Sequence, residues 1–443
     1  MTTPSGNILF NNSSGSDTAA SGLGPATALT GSGASTDGTA VVTGISTTGA
    51  SAGDLLWVQT ASGRQFAIIA SVDSGTQVTC DDTFALGSGQ TWAIGGKRQT
   101  IGNANSALMF QDAEDDWTIE LEDNQTISSA ITWSGGTNDN IGFRLIGSSG
   151  SIKTVTQTGA AAHFSLSSSS SQMENLKFLN SNGSPGYVVS GASGATIAIF
   201  IDCVAGEGSG GNNPLGFGTR TSGGLAVSAR NCVADYCGGD GFGTASNRNF
   251  TTCYNCKAIG CTGHGFAARG DGDLICINCI ADSNGGDGFY VGATTTGGGI
   301  IVNCVSRNNT GDGVSLDDSG RFTIILNSHF TENGAYGAES RAATIRNDAI
   351  VDGCNFGTGA TANTSGDVSG FTKGANCTNT DPAYNNTATG DYTPASSFFT
   401  AGVPQYIIDT ASVASNQPVG VVGGSGGGGA TGSSRLVNGG LVD

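Results

Sequence analysis

Residues 251–261 read TTCYNCKAIGC, and twenty residues after Cys256 a second pair, CINC, brings Cys276 and Cys279. Two C-x2-C pairs at this separation fit the spacing of a four-thiolate zinc site. The fit weakens once the stretch is set in register with its surroundings. Aligned on an asparagine, the chain reads NCVADYCGGDGFGTAS from Asn231, NCKAIGCTGHGFAARG from Asn255, NCIADSNGGDGFYVGA from Asn278 and NCVSRNNTGDGVSLDD from Asn303, with a weaker copy, NSHFTENGAYGAES, from Asn327. The steps are 24, 23, 25 and 24 residues, and a fixed period of this length is the mark of a repeat architecture.

Short apolar stretches such as LICI, GIIV and FTIIL precede each asparagine, and GFYV or GVSL follows about ten residues later. They are too short for helices and are separated by turn residues, so they read as strands. Two or three strands per unit match one coil of a parallel β-helix, whose coils stack at about 4.8 Å. Asn231, Asn255, Asn278, Asn303 and Asn327 then form a turn ladder: asparagine tolerates the left-handed backbone region, and stacked amides can hydrogen-bond from coil to coil. The glycines around GDG serve another corner.

In this register the cysteines become columns. Cys232, Cys256, Cys279 and Cys304 follow the turn asparagine, with Cys203 and Cys354 in phase and Ser328 replacing the thiol once. Three residues earlier the column reads Ala229, Cys253, Cys276, Ile301 and Ile325. A slot that accepts Ala, Cys and Ile is a packing slot, so the first column reads as an inward thiol ladder with no metal and no cofactor. A third column holds Cys237 and Cys261, then Asn284, Asn309 and Asn333; a bridge between Cys237 and Cys261 stays open. Twelve cysteines without a basic and apolar leader at the amino terminus suit a chain made in a reducing cytosol.

Composition agrees with many short strands. Of 443 residues 74 are Gly, 12% are charged and 37% hydrophobic. The formal charge of −18 disfavours nucleic acid and anionic membranes as partners, and no apolar run is long enough for membrane insertion.

The pattern I-x-N-C-x-A-x-x-N-x-G-x-D-G-F-x-V over about residues 170–360 resembles the right-handed parallel β-helix, or pectin-lyase-like, repeat proteins. The expected fold is all-β: a right-handed parallel β-helix over 105–392, a small β-rich head domain over 1–104, and a segment 393–443 carrying a flexible Gly-rich linker and a terminal peptide, RLVNGGLVD. In the head, DLLWVQT, QFAIIASV, TQVTCDDTFAL and TWAIGGKRQT read as strands lacking the 24-residue period, with Trp57 and Trp92 as core or interface anchors. TWAIGGKRQT running into a β-helix resembles amino-terminal regions of bacteriophage virion proteins.

Proteins of this resemblance include pectate lyases, polygalacturonases, phage tailspike depolymerases and structural proteins without activity. GHGF from Gly263 matches a polygalacturonase-like segment, but the N-T-D, paired D-D and R-I-K signatures lack counterparts, and His264 falls in the column of Asp240, Asp287 and Asp312. Those three aspartates are the candidate catalytic residues, since glycoside hydrolysis requires two carboxyl groups at a defined separation. Their recurrence in the repeat equally marks a preferred turn. Asp317 and Asp318 form a further acid pair, and RGD at 269–271 is too short to inform. The expected function is that of a phage virion structural protein, such as a tail fibre, tailspike or capsid-decorating spike. It would project its shaft from the particle surface for host attachment, trimerise with its own copies, join other virion proteins through an end domain and bind host surface glycan. The alternatives are a β-helix polysaccharide lyase or hydrolase and an extracellular adhesin.

Overall fold

A computed structural model describes Ile8–Asn11 and most of the chain from 21 to 394; residues 1–7, 102–117, 134–142, 395–443 and several short inter-strand stretches are not described. The Gly-rich linker and terminal peptide expected over 393–443 lie almost wholly outside the described residues, as does Asp318.

Along most of the stack each coil contributes one strand to each of three parallel sheets, while the early coils place their third strand, from Ile131–Trp133 to Val189–Gly191, in a separate 3-stranded sheet. Phe250–Tyr254 enters a 12-stranded sheet, Lys257–Ile259 a 9-stranded sheet and Phe266–Arg269 a 7-stranded sheet, and Asp273–Ile277 then returns to stack on Phe250–Tyr254. The strands alternate as half-buried strands must: in Asp273–Ile277, Leu274 and Cys276 point inward while Ile275 and Ile277 point out. The fold is therefore the all-β parallel solenoid that the period implied.

Two left-handed corners shape each of the five coils from Asn231 to Asn327. Asn231, Asn255, Asn278, Asn303 and Asn327 have φ between 50° and 56°, and Asp202 and Gly353 continue the column at 53° and 62°. Five residues later a second corner repeats at Tyr236, Gly260, Ser283, Asn308 and Glu332, with φ between 52° and 63°. Tyrosine and glutamate adopt this region at a cost of about 1–2 kcal/mol, which the flanking ladders offset. Gly260 and Asn308 suit this second corner, but Tyr236, Ser283 and Glu332 do not announce it.

The interior is layered by column. Phe217, Phe242, Phe266 and Phe289 stack face to face at 5.0, 5.0 and 5.1 Å. The thiols of Cys232, Cys256, Cys279 and Cys304 are buried, and each donates to the carbonyl two residues back, at 3.2, 3.3, 3.4 and 3.2 Å. Ser328 makes the same bond, to Leu326 O at 2.8 Å. The slot therefore selects a small side chain with a donor as well as bulk. All twelve cysteines are free, Cys237 and Cys261 among them. Burial pushes the Cys256, Cys276 and Cys304 thiols well above their ordinary range.

Amide bonding from coil to coil runs from Asn255 to Asn231 at 3.2 Å and from Asn231 to Asp202 at 2.9 Å. A longer ladder lies inside, in the third column: Asn284, Asn309, Asn333 and Asn363 are linked amide to amide at 2.8, 3.0 and 2.9 Å.

At the amino-terminal end, six antiparallel strands between Leu29 and Ile94 close a barrel around Val42, Leu56, Val58, Ile69, Val78 and Ile94. Trp57 and Trp92 are buried in its wall. Ile8–Asn11, inside the span 1–104 expected for the head, pairs in parallel with Thr118–Leu121 and is a strand of the 12-stranded sheet. The chain thus starts the solenoid, leaves to build the barrel and returns. At the other end the last parallel strand among the described residues is Phe371–Lys373, and Tyr384–Asn386 pairs antiparallel with Asp391–Pro394. Among the described residues no helix is long and apolar enough to cross a membrane.

Candidate functional site

The turns that lead into the 7-stranded sheet repeat a glycine, a polar residue and a glycine at 239–241, 263–265, 286–288 and 311–313. The polar side chains form a relay along the stack. Asp240 Oδ1 accepts the N–H of His264 at 2.9 Å, and His264 Nδ1 accepts that of Asp287 at 2.9 Å. Asp287 Oδ1 then accepts from Asp312 at 2.7 Å, and Asp312 Oδ1 from Tyr336 at 2.8 Å. The leading glycine is required by close approach: a Cβ at Gly311 would collide with Asp287 Oδ1, and one at Gly263 with Asp240 Oδ1. His264 replaces aspartate because imidazole Nδ1 can play the same acceptor part. Its hydrogen then sits on Nε2, so the 3.3 Å approach of Asp287 Oδ2 to Nδ1 is not a hydrogen bond.

Outside this relay lies a polar cluster. Arg269 grips Asp240 with Nε at 2.9 Å and a terminal nitrogen at 3.0 Å. Arg341 reaches Asp312 Oδ2 at 3.0 Å, Asp317 Oδ1 at 3.2 Å and Glu339 Oε2 at 2.9 Å, and stands 3.5 Å from Asp287 Oδ1. Tyr290 stacks on His264 at 4.2 Å, lies beneath Arg269 and donates its hydroxyl to Asp317. Burial and that hydrogen bond push Tyr290 up to about 12, so it remains a donor at neutral pH. Burial, reinforced by Asp287 and Glu339 and opposed by the Tyr336 N–H, pushes Asp312 up to about 6.

Of the residues expected from sequence, Asp240, Asp287, Asp312, His264 and Asp317 meet on this face. Arg341, Glu339 and Tyr290 were not singled out by sequence. Arg341 follows the weakest repeat copy, and only the stacking of its coil on the one before brings it over the aspartates. The arrangement can hydrogen-bond a polyhydroxylated ligand through charged groups of both signs, with the arginine side chains 40% and 42% exposed. Among the described residues no group of three or more His, Cys, Asp or Glu is arranged to hold a metal ion.

Acid should weaken the fold through two histidines away from this face. Burial pushes His163 and His329 down to about 4 from an ordinary 6.5. Each is neutral in the folded chain and takes up a proton on unfolding. Their contribution is complete above pH 6.5 and is lost as pH falls to about 4, at about 3 kcal/mol each. Asp312 works oppositely: its folded-state penalty is full above about 6 and is relieved as pH falls toward the ordinary 3.8. Two histidines against one aspartate leave a net loss on the order of 3 kcal/mol between pH 7 and 4. Urea midpoints across that range should fall accordingly, and a flat profile would contradict the buried neutral rings.

A family model described as a right handed beta helix region matches residues 113–356, more than half of the chain. No curated protein matches in sequence. Among solved structures, the chain is similar to the Gp54 tailspike of Acinetobacter baumannii bacteriophage AP22, which was solved in complex with A. baumannii capsular saccharide. The two share 11% identity with a TM-score of 0.24 over 80% of this chain, and the chain spans 63% of the length of that tailspike.

Proposed function

This chain belongs to the right handed beta helix family, and from that premise we propose that it is a structural shaft of a phage particle that binds host surface saccharide along the Asp240–Arg341 face without cleaving it. One observation carries the choice of binding over catalysis. One oxygen of each of Asp240, Asp287 and Asp312 is committed to a backbone N–H of the next coil, and the second oxygens of Asp240 and Asp312 are held by Arg269 and Arg341. A carboxyl group that must exchange a proton or attack a sugar carbon needs a free oxygen, and glycoside hydrolysis needs two such groups; of the three aspartates only Asp287 keeps an oxygen outside these bonds. Arginines and acids fixed by a rigid stack suit recognition of hydroxyl and carboxylate groups on a glycan. In this reading the barrel end joins other virion proteins, copies of the chain associate around the shaft as a homotrimer, and the protein is displayed on the particle surface.

The test is incubation with host capsule and lipopolysaccharide, measuring both retention and oligosaccharide release. Retention without release is expected, and Arg341→Ala should weaken it by about tenfold, the value of one or two charge-assisted hydrogen bonds. No retention on any host glycan would sink the proposal. The second reading, a depolymerase, is favoured by Asp312, which near pH 6 is partly in the protonated form that a general acid needs. Release of oligosaccharide that disappears in Asp312→Asn would establish it instead.

A further inference from the structure

The column of thiols that follows the turn asparagine is interrupted once. Cys203, Cys232, Cys256, Cys279 and Cys304 occupy successive coils, Ser328 takes the next, and Cys354 and Cys377 hold the last two positions among the described residues. Backbone bonds fix the register at this end. Asn355 bridges in parallel to Thr378, the Thr378 N–H donates to Cys354 O at 2.8 Å, and the Phe356 N–H donates to Thr378 O at 3.0 Å. Cys377 is therefore seated on Cys354, one rung of about 4.8 Å away, within the roughly 4.4–6.8 Å between Cα atoms that a disulfide spans. The two sulfurs converge on one turn: Cys354 Sγ is 3.3 Å from Asp352 O, and Cys377 Sγ is 3.5 Å from Val351 O. Other neighbouring thiols in the column share the rung spacing, so proximity alone does not single out this pair. Access does so, because eleven cysteines are buried and Cys377 alone is partly exposed. Isolation does so too: with Ser328 on its other side, Cys354 has no second thiol in the column with which to exchange a bond. The hydrogen bond from Cys354, helped by Lys373 and opposed by partial burial and Asp352, pulls Cys377 down to about 7, while burial pushes Cys354 well above its ordinary range. Cys377 is thus the nucleophilic sulfur of the two.

We propose that Cys377 and Cys354 form a peroxide-sensitive modification site at the carboxyl-terminal end of the stack, closed by a disulfide that staples the last coil to the one beneath it. The Cys377 thiolate attacks one oxygen of hydrogen peroxide, the O–O bond breaks, and the departing hydroxide takes up a proton, leaving a sulfenic acid and one water. Cys354 sulfur then attacks the sulfenic sulfur. The S–S bond forms, the S–O bond breaks, and the hydroxyl leaves with the Cys354 proton as a second water. Two thiols and one peroxide become one disulfide and two waters: the sulfurs are oxidised and the peroxide oxygens reduced. The closed loop runs from Cys354 to Cys377 and contains Phe356 and Phe371, which plug this end of the core. A terminal coil has a neighbour on one side only and opens before the interior coils do, so a staple here acts where the stack is weakest. The inference stands independently of the saccharide reading, which concerns a different sheet.

The experiment treats the folded full chain with hydrogen peroxide, removes the peroxide, unfolds the chain in urea, alkylates the remaining thiols and maps the peptides by mass spectrometry. Cys377→Ser and Cys354→Ser are treated alongside. The wild type is expected to lose two of its twelve thiols, to yield one linked pair of peptides carrying Cys354 and Cys377, and to recover both thiols on reduction with dithiothreitol. Cys377→Ser should keep its Cys354 thiol at least about tenfold longer, and Cys354→Ser should stop at a sulfenic acid on Cys377 that dimedone traps. Serine already fills this column at Ser328, so both variants should keep the wild-type circular dichroism, and the wild-type peptide map carries the test if either does not. A wild type whose twelve thiols all survive would overturn the proposal. So would Cys377 oxidised without a link to Cys354, or other thiols lost as fast as these two.

Discussion

Asn309→Ala should cost the solenoid about 4 kcal/mol, although it removes one small polar side chain. Asn309 Oδ1 accepts both the N–H and the amide of Asn284, at 3.0 and 2.8 Å. Its own amide lies 3.1 Å from Ala281 O, 2.9 Å from Ser306 Oγ and 3.0 Å from Asn333 Oδ1. Asn284, Asn309 and Asn333 are at most 1% exposed, so no water can replace what is lost. Alanine would orphan a backbone donor, an amide hydrogen and a carbonyl, each at about 1–3 kcal/mol. Asn308→Ala, one residue earlier and exposed, removes an asparagine from the second left-handed corner (φ 52°) and should cost about 1–2 kcal/mol. Urea midpoints of the two variants measure the difference; equal, small losses would show that the buried amides do not hold the coils together.

Phe266→Ala should destabilise by about 3–5 kcal/mol through the cavity it leaves, with about 1 kcal/mol more from each lost ring contact. Phe266 is fully buried between Phe242 and Phe289, with interplanar angles of 5° and 11°. Stacked coils touch only their neighbours, so a void in the middle of the pile weakens one interface on each side and should broaden or split the unfolding transition. Phe266→Leu, which keeps most of the volume, should lose under about 2 kcal/mol. A single sharp transition at the wild-type midpoint for Phe266→Ala would mean that the ring stack is dispensable.

The columns explain why so much of the architecture was legible. Asn231 to Asn327 recur because left-handed backbone is a local demand, written into the residue that must satisfy it. Leu274, Ile275, Cys276 and Ile277 alternate because the pleat has a period of two. The second corner was only partly legible, since Gly260 and Asn308 favour a left-handed φ but Tyr236, Ser283 and Glu332 do not. Its conformation is imposed by the ladders on either side. The cysteine column was legible as packing but not as donation: only the position of Ser328, bonded to Leu326 O as the thiols are bonded to theirs, exposes the need for a donor.

The aspartates show the same division at the site. Their recurrence in GDG was visible, and so was the choice between turn chemistry and catalysis. The N–H that each one accepts belongs to a residue 23 to 25 positions further on, and Arg341 reaches Asp312 across 29. The sequence by itself determined the period, the strands, the left-handed asparagines and the parallel stack, because each follows from dihedral preference and side-chain alternation within one coil. Which atoms meet between coils was decided by the tertiary structure alone: the relay through Asp240, His264, Asp287 and Asp312 and the buried amide ladder. Those contacts depend on the register of one coil upon the next, and register is set by the packing of the whole column rather than by any residue in it.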